Sequence, residues 1–330
     1  MNKIRVGLIY GGKSPEHTVS TMSAQGILNN IDQDKFEVTG IFIAKDGNFY
    51  TDATQSNAYD FFVGSKELDV YFPILHGAGG EDGEIQGLIK SVGKPFVGSD
   101  VLASAICLDK GITKQLFAHN NIPQTDFVLI NFDCDDTSQL NAKLNQAKKQ
   151  LIFPVFVKAA NLGSSVGVYK VDTHDQLIEK CYNAKEYDSR VLIEQGIVDG
   201  REVEVSVLGN GRDLQCSVVG EIKVGSDFYD YDDKYKNNQA ELIVPADLTP
   251  QQIIEITDLA KKVFMLTTCS GFARVDFFIS SAGKILVSEI NTIPGFTPIS
   301  MYPKLWAASG LPYRDLIGKL IELGLSKRSS

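Results

Sequence analysis

The amino-acid sequence predicts an α/β (α+β) protein with more than one domain. Its 330 residues exceed the length that a single hydrophobic core usually serves. Near the N-terminus, short apolar segments typical of strands alternate with segments of helical spacing, as in parallel sheets covered by helices. After residue 99 the order of the segments becomes that of compact α+β modules. We therefore expect three domains, at residues 1–99, 100–194 and 195–330.

The first domain contains three predicted strands and one predicted helix. The strands are Ile4–Tyr10, Phe36–Ile43 and Val70–Leu75, and the helix is Val19–Leu28. Two glycine-containing dipeptides, Gly11-Gly12 and His76-Gly77, follow the first and third strands. Ligands of parallel sheets bind beyond the carboxyl ends of the strands, so we expect both dipeptides to border a binding site.

The other two domains alternate helices and strands around one long polar loop. In the second we expect helices at 109–120, 138–149 and 176–182, and strands at 127–130, 154–158, 168–171 and 191–194. In the third we expect strands at 202–208 and 217–222, helices at 250–266 and 313–323, and a hairpin at 271–291. The loop 223–240 is polar yet aromatic, which is compatible with a lid over a reaction, although the sequence alone slightly favours a surface Ω-loop.

Composition excludes several classes of protein. The formal net charge of -9 argues against nucleic acid as the main partner, which would favour a basic face. No apolar segment approaches membrane-spanning length, and the N-terminus lacks the apolar core of a signal peptide. The five cysteines are scattered without a CxxC pair, which is typical of reduced thiols. We expect a cytoplasmic protein with no membrane or nucleic-acid partner.

The hairpin 271–291 is the most informative segment of the chain. Both halves are rich in β-branched and aromatic residues, and Ser280–Gly283 between them is a predicted turn. If Ile279 pairs with Lys284, then Arg274 lies opposite Glu289 on the neighbouring strand.

Alternation of side chains along strands then places four polar groups on one face of this hairpin. They are Arg274, Asp276, Glu289 and Asn291. A salt-bridged surface hairpin would explain a single carboxylate. Three oxygen-bearing side chains beside a fixed cation instead favour a divalent metal such as Mg²⁺, which binds such oxygens and shares them with phosphates.

A glycine- and serine-rich loop follows the predicted strand that ends at Lys158. The loop, Asn161–Gly167, can turn its backbone amides and the hydroxyls of Ser164 and Ser165 toward a polyanion. Lys158 would supply a point charge to the same phosphates. An ordinary Gly-Ser turn with a surface lysine explains the loop by itself equally well.

The segment Gly7–Ser14 matches the letters of a P-loop, GxxxxGK[ST], but we expect no P-loop here. A P-loop needs its first glycine after the strand, whereas Gly7 lies within a predicted strand. We therefore expect Lys13→Ala to be tolerated. Glu16, just beyond the motif, fits a ligand-binding acid and a helix-capping acid equally well.

Six segments together resemble the D-alanine–D-alanine ligases of the ATP-grasp superfamily. The matching segments are Gly11–Ser20, Leu75–Gly87, Asn161–Gly167, Phe228–Tyr235, Ala273–Phe277 and Glu289–Lys304. They are spread along nearly the whole chain and follow the order of the family. The resemblance implies a three-domain ATP-grasp fold and ATP-dependent formation of D-alanyl-D-alanine through an acyl phosphate, for peptidoglycan precursors.

The resemblance also implies roles for the matching residues. Glu16 and His76 would bind the first D-alanine, and Ser300 would bind the carboxylate of the second. Arg274 and Gly295 would stabilise the tetrahedral intermediate. Glu16, Ser164 and Tyr235 would form a hydrogen-bonded triad that locks the lid. Lys110, Lys158 and Lys234, with Ser164 and Ser165, would bind the phosphates of ATP. Glu194 and Glu202 would bind its adenine and ribose. Asp276, Glu289 and Asn291 would hold two Mg²⁺ or Mn²⁺ ions.

Three other functions can be compared with this one. A D-alanine–D-serine or D-alanine–D-lactate ligase would keep the fold and change the second substrate; Lys234-Tyr235 favours the dipeptide over the lactate product. A nucleotide-binding regulator without catalysis predicts damage to the metal or lysine residues, and the sequence has none. A P-loop NTPase would depend on Gly7–Ser14 alone. A homodimer is what the family leads us to expect.

Overall fold

The computed structural model describes residues 2–51, 54–57, 60–62, 67–164, 166–223, 241–297 and 299–327. Three predicted site residues, Ser165, Lys234 and Tyr235, lie outside the described residues. So does the predicted lid loop beyond Lys223.

The first sheet has the strand order β4-β3-β2-β1-β5. β1 pairs in parallel with both β2 and β5, as predicted from the alternation of strands and helices, whereas β3 and β4 add an antiparallel edge. The bounds are β1 (Ile4–Gly11), α1 (His17–Asn30), β2 (Phe36–Ile43), β3 (Phe49–Thr51), β4 (Thr54–Ser56), β5 (Val70–Pro73) and α2 (Glu84–Ser91).

The second sheet has the order β6-β9-β7-β8 and is antiparallel throughout its described strands. Two helices lead into it, and two more pack on it. The bounds are α3 (Val101–Leu108), α4 (Lys110–His119), β6 (Phe127–Asn131), α5 (Thr137–Gln150), β7 (Val155–Ala159), β8 (Val168–Val171), α6 (Leu177–Lys185) and β9 (Arg190–Gln195).

The third sheet has the order β12-β11-β10-β13-β14 and is also antiparallel. Its central strands are the longest of the described chain, and apolar residues of α7 cover one face. The bounds are β10 (Arg201–Asn210), β11 (Asp213–Lys223), β12 (Glu241–Ile243), α7 (Pro250–Leu266), β13 (Gly271–Ile279), β14 (Ile285–Asn291), α8 (Met301–Ala308) and α9 (Tyr313–Leu325).

One hydrophobic core joins the two ends of the chain. Leu8 of β1 and Phe72 of β5 belong to one buried cluster. The same cluster contains Phe272 of β13, Leu320 of α9, and Phe296 from the segment between β14 and α8. The C-terminal helix therefore covers the N-terminal sheet and fixes it against the third sheet, because close-packed side chains resist displacement. The division at residues 99 and 194 stays a prediction.

Two sequence-based expectations about strands have different outcomes. Gly7 lies inside β1, and the exposed Lys13 lies against Gly47 in the turn between β2 and β3, so this segment forms no phosphate loop. The predicted pairing of Ile279 with Lys284 is wrong, because Ile279 pairs with Ile285.

The hairpin register differs further at its open end. A bulge near Ser288 shifts the pairing again, so that Arg274 lies opposite Asn291 and Asp276 opposite Glu289. The predicted pairing of Arg274 with Glu289 was therefore off by two residues. An even shift keeps side chains on the same face, which is why the predicted clustering of these four side chains survives the wrong register.

Several short elements were missed by the sequence analysis. They are α2, α3 and α8 and the strands β3, β4 and β12, each of eight residues or fewer. None of the helices that the structure describes is long and apolar enough to cross a bilayer.

Candidate active site

A single cleft of about 630 Å³ lies where the three sheets meet. Every predicted site residue within the described part of the chain lines it: Glu16, His76, Lys110, Lys158, Ser164, Glu194, Glu202, Arg274, Asp276, Glu289, Asn291, Gly295 and Ser300. These residues come from separate loops and strands across more than 280 positions of sequence. The fold therefore brings the predicted residues together, although their individual roles stay predictions.

The side chain of Glu16 points into the cleft. Glu16 is the N-cap of α1, but its carboxylate makes no capping hydrogen bond. Instead Oε1 accepts a hydrogen bond from the hydroxyl of Ser164, in the loop between β7 and β8. The geometry therefore disagrees with Glu16 as a helix-capping acid, because a capping side chain would accept hydrogen bonds from the first-turn amides.

His76 is a buried residue held in a chain of hydrogen bonds. Its Nδ1 lies 3.0 Å from the carbonyl oxygen of Ile293, which can only accept, so Nδ1 carries a proton. Nε2 lies 3.0 Å from Ser23 Oγ, and in the neutral ring it accepts from that hydroxyl, whose oxygen accepts from the amide of Phe296 at 3.2 Å. Burial lowers the pKa of His76 even though Glu16 opposes this shift, so the neutral imidazole is favoured.

Glu81 lies within the segment Leu75–Gly87, and the sequence predicted no role for it. Its Oε2 accepts from the amide of Gly77 at 2.8 Å, and its Oε1 accepts from the amide of Ile293 at 3.2 Å. Burial, followed by the nearby charge of Glu16, raises the pKa of Glu81 to about 8. Glu81 thus joins the loop after β5 to the loop after β14. The acidic residue within a glycine-rich loop was the signal that could have identified it.

The phosphate-lysine candidate Lys158 lies beside a buried carboxylate. Its Nζ is 2.6 Å from Glu194 Oε2, while Glu194 Oε1 is 2.6 Å from Lys114 Nζ. The Thr125 hydroxyl also donates to Glu194 Oε1. Burial opposes ionisation of Glu194, but Lys114 and Lys158 outweigh it and hold its pKa well below the usual range.

Lys114 is a further residue that the sequence analysis missed. It lies on α4, four residues after Lys110, so both side chains belong to neighbouring turns of one helix. That spacing was the available signal. The role predicted for Glu194, adenine recognition, stays a prediction, and in the structure its carboxylate binds two lysines.

Lys110 reaches the cleft from the first turn of α4. Asp109 caps this helix by accepting from the amide of Ile112 at 2.9 Å. Lys110 Nζ donates to the carbonyl oxygen of Leu162 at 2.8 Å and lies 3.6 Å from Glu289 Oε2. Lys110 therefore connects the Gly-Ser loop to the hairpin.

Arg274 is held at the centre of the hairpin face by acidic neighbours. Its guanidinium donates to both oxygens of Asp276 at 2.7 Å, and Nε lies 3.1 Å from Glu204 Oε2. Burial alone would lower the pKa of Arg274, but Asp276 and Glu204 outweigh it, so the pKa is raised. A planar guanidinium fixed in this way is a preorganised electrostatic group.

The metal-ligand candidates lie together, although they do not form a closed cage. Asp276 pairs with Glu289 across the hairpin, and the side-chain amide of Asn291 donates to Asp276 Oδ2 at 3.0 Å. Among the described residues, no group of three or more His, Cys, Asp or Glu side chains could hold a metal ion. Two carboxylates and one amide oxygen nevertheless fit Mg²⁺, which binds to few protein ligands and completes its shell with water and phosphate oxygens.

The turn after β14 brings Gly295 and Ser300 together. A Cβ on Gly295 would lie 2.9 Å from Ser300 Oγ, so only glycine fits without displacing the serine. Ser300 Oγ accepts from the amide of Thr297 at 3.1 Å and lies 2.7 Å from its hydroxyl. Both groups line the cleft at its end nearest α8.

Glu202 lies at the opposite end of the cleft, among apolar residues. It occupies β10, opposite Ile222 on β11 and Phe278 on β13. Apolar side chains of the second and third sheets line this end, including Phe156, Val203, Ile222 and Leu242. Apolar side chains beside a carboxylate suit an apolar ring with an attached polar group.

Comparison with known families covers nearly the whole chain. The model described as "D-ala D-ala ligase N-terminus" matches residues 5–66 and 57–99. The model described as "D-ala D-ala ligase C-terminus" matches residues 116–322.

Full-length relatives and solved structures agree with these matches. The D-alanine–D-alanine ligase of Geobacillus kaustophilus is 41% identical to this chain, and the match covers 98% of this chain and 95% of the relative. D-Alanine–D-alanine ligase A of Escherichia coli K12 is 40% identical, and the match covers 100% of this chain and 98% of the relative. The ligase structure from Coxiella burnetii has a TM-score of 0.83 at 35% identity, covering 98% and 94%. The VanG D-Ala:D-Ser ligase of Enterococcus faecalis has a TM-score of 0.85 at 32% identity, covering 98% and 99%. The chain therefore belongs to the D-alanine–D-alanine ligase family and has its ATP-grasp fold.

Proposed function

We propose that this protein joins two D-alanines into D-alanyl-D-alanine at the expense of ATP, supplying a precursor of peptidoglycan. One observation carries the proposal beyond family membership. A single cleft joins an acidic end at Glu16, a lysine cluster at Lys158 and a preorganised arginine at Arg274. Such a cleft can hold an amino acid, a polyphosphate and a developing oxyanion side by side.

The first step is phosphorylation of the first D-alanine. Glu16 binds its ammonium group, and the buried neutral His76 fixes the adjacent loop without adding a competing charge. The carboxylate attacks the γ-phosphorus of ATP, and the bond to the β-phosphate oxygen breaks to give an acyl phosphate and ADP. Lys110 and Lys158 reduce the repulsion between the anionic carboxylate and the triphosphate.

The second step forms the peptide bond. The neutral amine of the second D-alanine attacks the acyl carbon, and inorganic phosphate leaves after the tetrahedral intermediate collapses. Arg274 and the amide of Gly295 stabilise the oxyanion of that intermediate, since preorganised donors act most strongly where charge develops. Ser300 binds the carboxylate of the second amino acid. Tyr235 and Lys234, on the predicted lid, would shield the acyl phosphate from water.

Magnesium or manganese is part of the proposal. Asp276, Glu289 and Asn291 would hold two ions, which would neutralise phosphate charge during transfer. The bidentate contact between Arg274 and Asp276 fixes the orientation of this carboxylate on the hairpin face. Glu202 and Glu194 are proposed to lie at the ribose and adenine end.

The second substrate has one competing candidate. The resemblance to the VanG D-Ala:D-Ser ligase keeps D-serine open, because a small change of pocket is sufficient to accept one hydroxyl. We also propose a cytoplasmic location, since ATP and the proposed amino-acid substrates are small molecules of the cytoplasm, and a homodimer, as the family leads us to expect. Light scattering of the purified protein gives the subunit number directly.

The deciding experiment measures phosphate release from ATP and Mg²⁺ with D-alanine, and identifies the products by mass. L-Alanine is the stereochemical control, and mixtures of D-alanine with D-serine or D-lactate test the second site. D-Alanyl-D-alanine from D-alanine alone at neutral pH supports the proposal. Mixed products at neutral pH would support the alternative ligases instead, and absence of turnover with every D-acid would refute both.

A further inference from the structure

Lys114 is a buried cation behind the cleft. Its side chain is 3% exposed, and it does not border the cleft, whereas Lys158 does. The two ammonium groups bind opposite oxygens of the same carboxylate, Glu194, at 2.6 Å each. Glu194 therefore lies between an inner lysine and an outer lysine.

The inner lysine is fixed by a set of acceptors. Its Nζ lies 3.0 Å from Thr125 Oγ1 and 3.4 Å from Gln124 Oε1. Gln124 returns a hydrogen bond to the backbone oxygen of Lys114 at 2.9 Å. A charge held by this many partners in a dry environment keeps one position.

We infer that Lys114 is a positioning residue for the nucleotide phosphates, acting through Glu194 on Lys158. The two lysines and Glu194 together carry one net positive charge. Because Lys114 neutralises Glu194 from behind, the charge of Lys158 remains available to a polyphosphate in the cleft. Without Lys114, the remaining pair of Glu194 and Lys158 is electrically neutral.

The inference rests on the proposed binding of ATP phosphates by Lys158, and it adds a residue to that site. Other carboxylates act on Lys158 from neighbouring elements, namely Glu289 of β14 and Glu202 of β10. They increase the need for a compensating cation at this end of the cleft. Charge interactions are strong here because the side chains of Lys114 and Glu194 are almost fully buried, at 3% and 4% exposed.

Three variants test the inference: Lys114→Met, the double variant Lys114→Met/Glu194→Gln, and the control Lys143→Met. Lys143 is matched because it also binds a carboxylate, Asp135, at 2.7 Å, but on α5 outside the cleft. Calorimetry gives the affinities for ADP and AMP, and initial rates give KM for ATP and D-alanine.

We expect Lys114→Met to weaken ADP binding by about tenfold or more, as one net charge is lost from a partly desolvated site. AMP binding should weaken much less, because AMP lacks the terminal phosphates. The double variant should recover the ratio of ADP affinity to AMP affinity to within about threefold of wild type, because removal of both charges restores the net charge around Lys158, and any contact of Glu194 with adenine affects both nucleotides alike. The control should leave both affinities unchanged.

Several results would overturn the inference. They are an unchanged ADP affinity in Lys114→Met, an equal loss for ADP and AMP in that variant, and a double variant whose ratio of ADP affinity to AMP affinity is no better than that of the single one. If Lys114→Met does not fold, the double variant decides alone, and a tenfold or greater fall in its ratio of ADP affinity to AMP affinity refutes the inference. Wild-type protein that binds ADP but forms no dipeptide would refute only the proposed reaction.

Discussion

The carboxylate of Glu16 accepts a hydrogen bond from the hydroxyl of Ser164, 148 residues further along the chain. This contact joins the N-terminus of α1 to the loop between β7 and β8, and so connects the first sheet to the second. Ser164 has a φ of 51°, a left-handed conformation that is unfavourable for a residue with a Cβ. The hydrogen bond to Glu16 contributes to holding that conformation.

Replacement of Ser164 by alanine should lower kcat/KM for D-alanine by about tenfold. The change removes the hydrogen bond and leaves Glu16 without its fixed donor, at a cost of about 1.5–3 kcal/mol for a charged acceptor. Initial-rate measurements at saturating ATP give the value. Ser91→Ala, on the exposed face of α2, is the control and should behave as wild type. Equal activity of both variants would show that the contact has no catalytic effect.

Replacement of Arg274 by alanine should lower kcat by about 10²–10³, the loss typical of removing one oxyanion donor. It also leaves Asp276 and Glu204 without their shared cation. Arg274→Lys should recover only part of the rate, because an ammonium group cannot make the bidentate contact. Arg314→Ala, which removes a surface ion pair with Asp32, is the control. Near-normal turnover of Arg274→Ala would refute its role.

Replacement of Lys13 by alanine should leave ATP affinity unchanged, whereas Lys158→Ala should weaken it strongly. Lys13 is exposed against the turn at Gly47, outside the cleft, and Lys158 lines the cleft. Isothermal titration with a non-hydrolysable ATP analogue measures both affinities. A loss of binding in Lys13→Ala would revive the P-loop hypothesis.

The pKa of Glu81 near 8 predicts a stability change with pH. In the unfolded chain this carboxyl has an ordinary pKa near 4.5, so between pH 4.5 and 8 the folded state binds more protons. Stability from this group is therefore fully present below pH 4.5 and is lost as pH rises toward 8. Glu81→Gln cannot titrate, so its Tm deficit relative to wild type should shrink from pH 5 to pH 8. A deficit that stays constant across this range would contradict the raised pKa.

The sequence indicated the hairpin face correctly for a reason that is local. Side chains alternate along any strand, so Arg274 and Asp276 share a face whatever their partners are. The register was not predictable, because it depends on the geometry of the turn at Ser280 and on the bulge near Ser288. The four polar side chains were predicted on the correct face only because the error in register was an even number of residues.

Glu194 illustrates what a one-dimensional pattern lacks. Its position at the end of a predicted strand was clear, but its partners come from α4 and β7, 80 and 36 residues away. Lys114 shows no sequence feature beyond its spacing from Lys110. The role of a buried charge depends on the groups that surround it, and tertiary packing determines which groups these are.

By itself, the sequence determined the α/β class, most of the strands and longer helices, and the resemblance of six segments to one ligase family. Local spacing, glycine positions and side-chain alternation are enough for these conclusions, because they depend on neighbours along the chain. Only the tertiary structure decided the hairpin register, the use of the Glu16 side chain outside helix capping, and the lysine pair around Glu194. Each of these depends on contacts between distant segments, which a folded core fixes and a sequence pattern does not state.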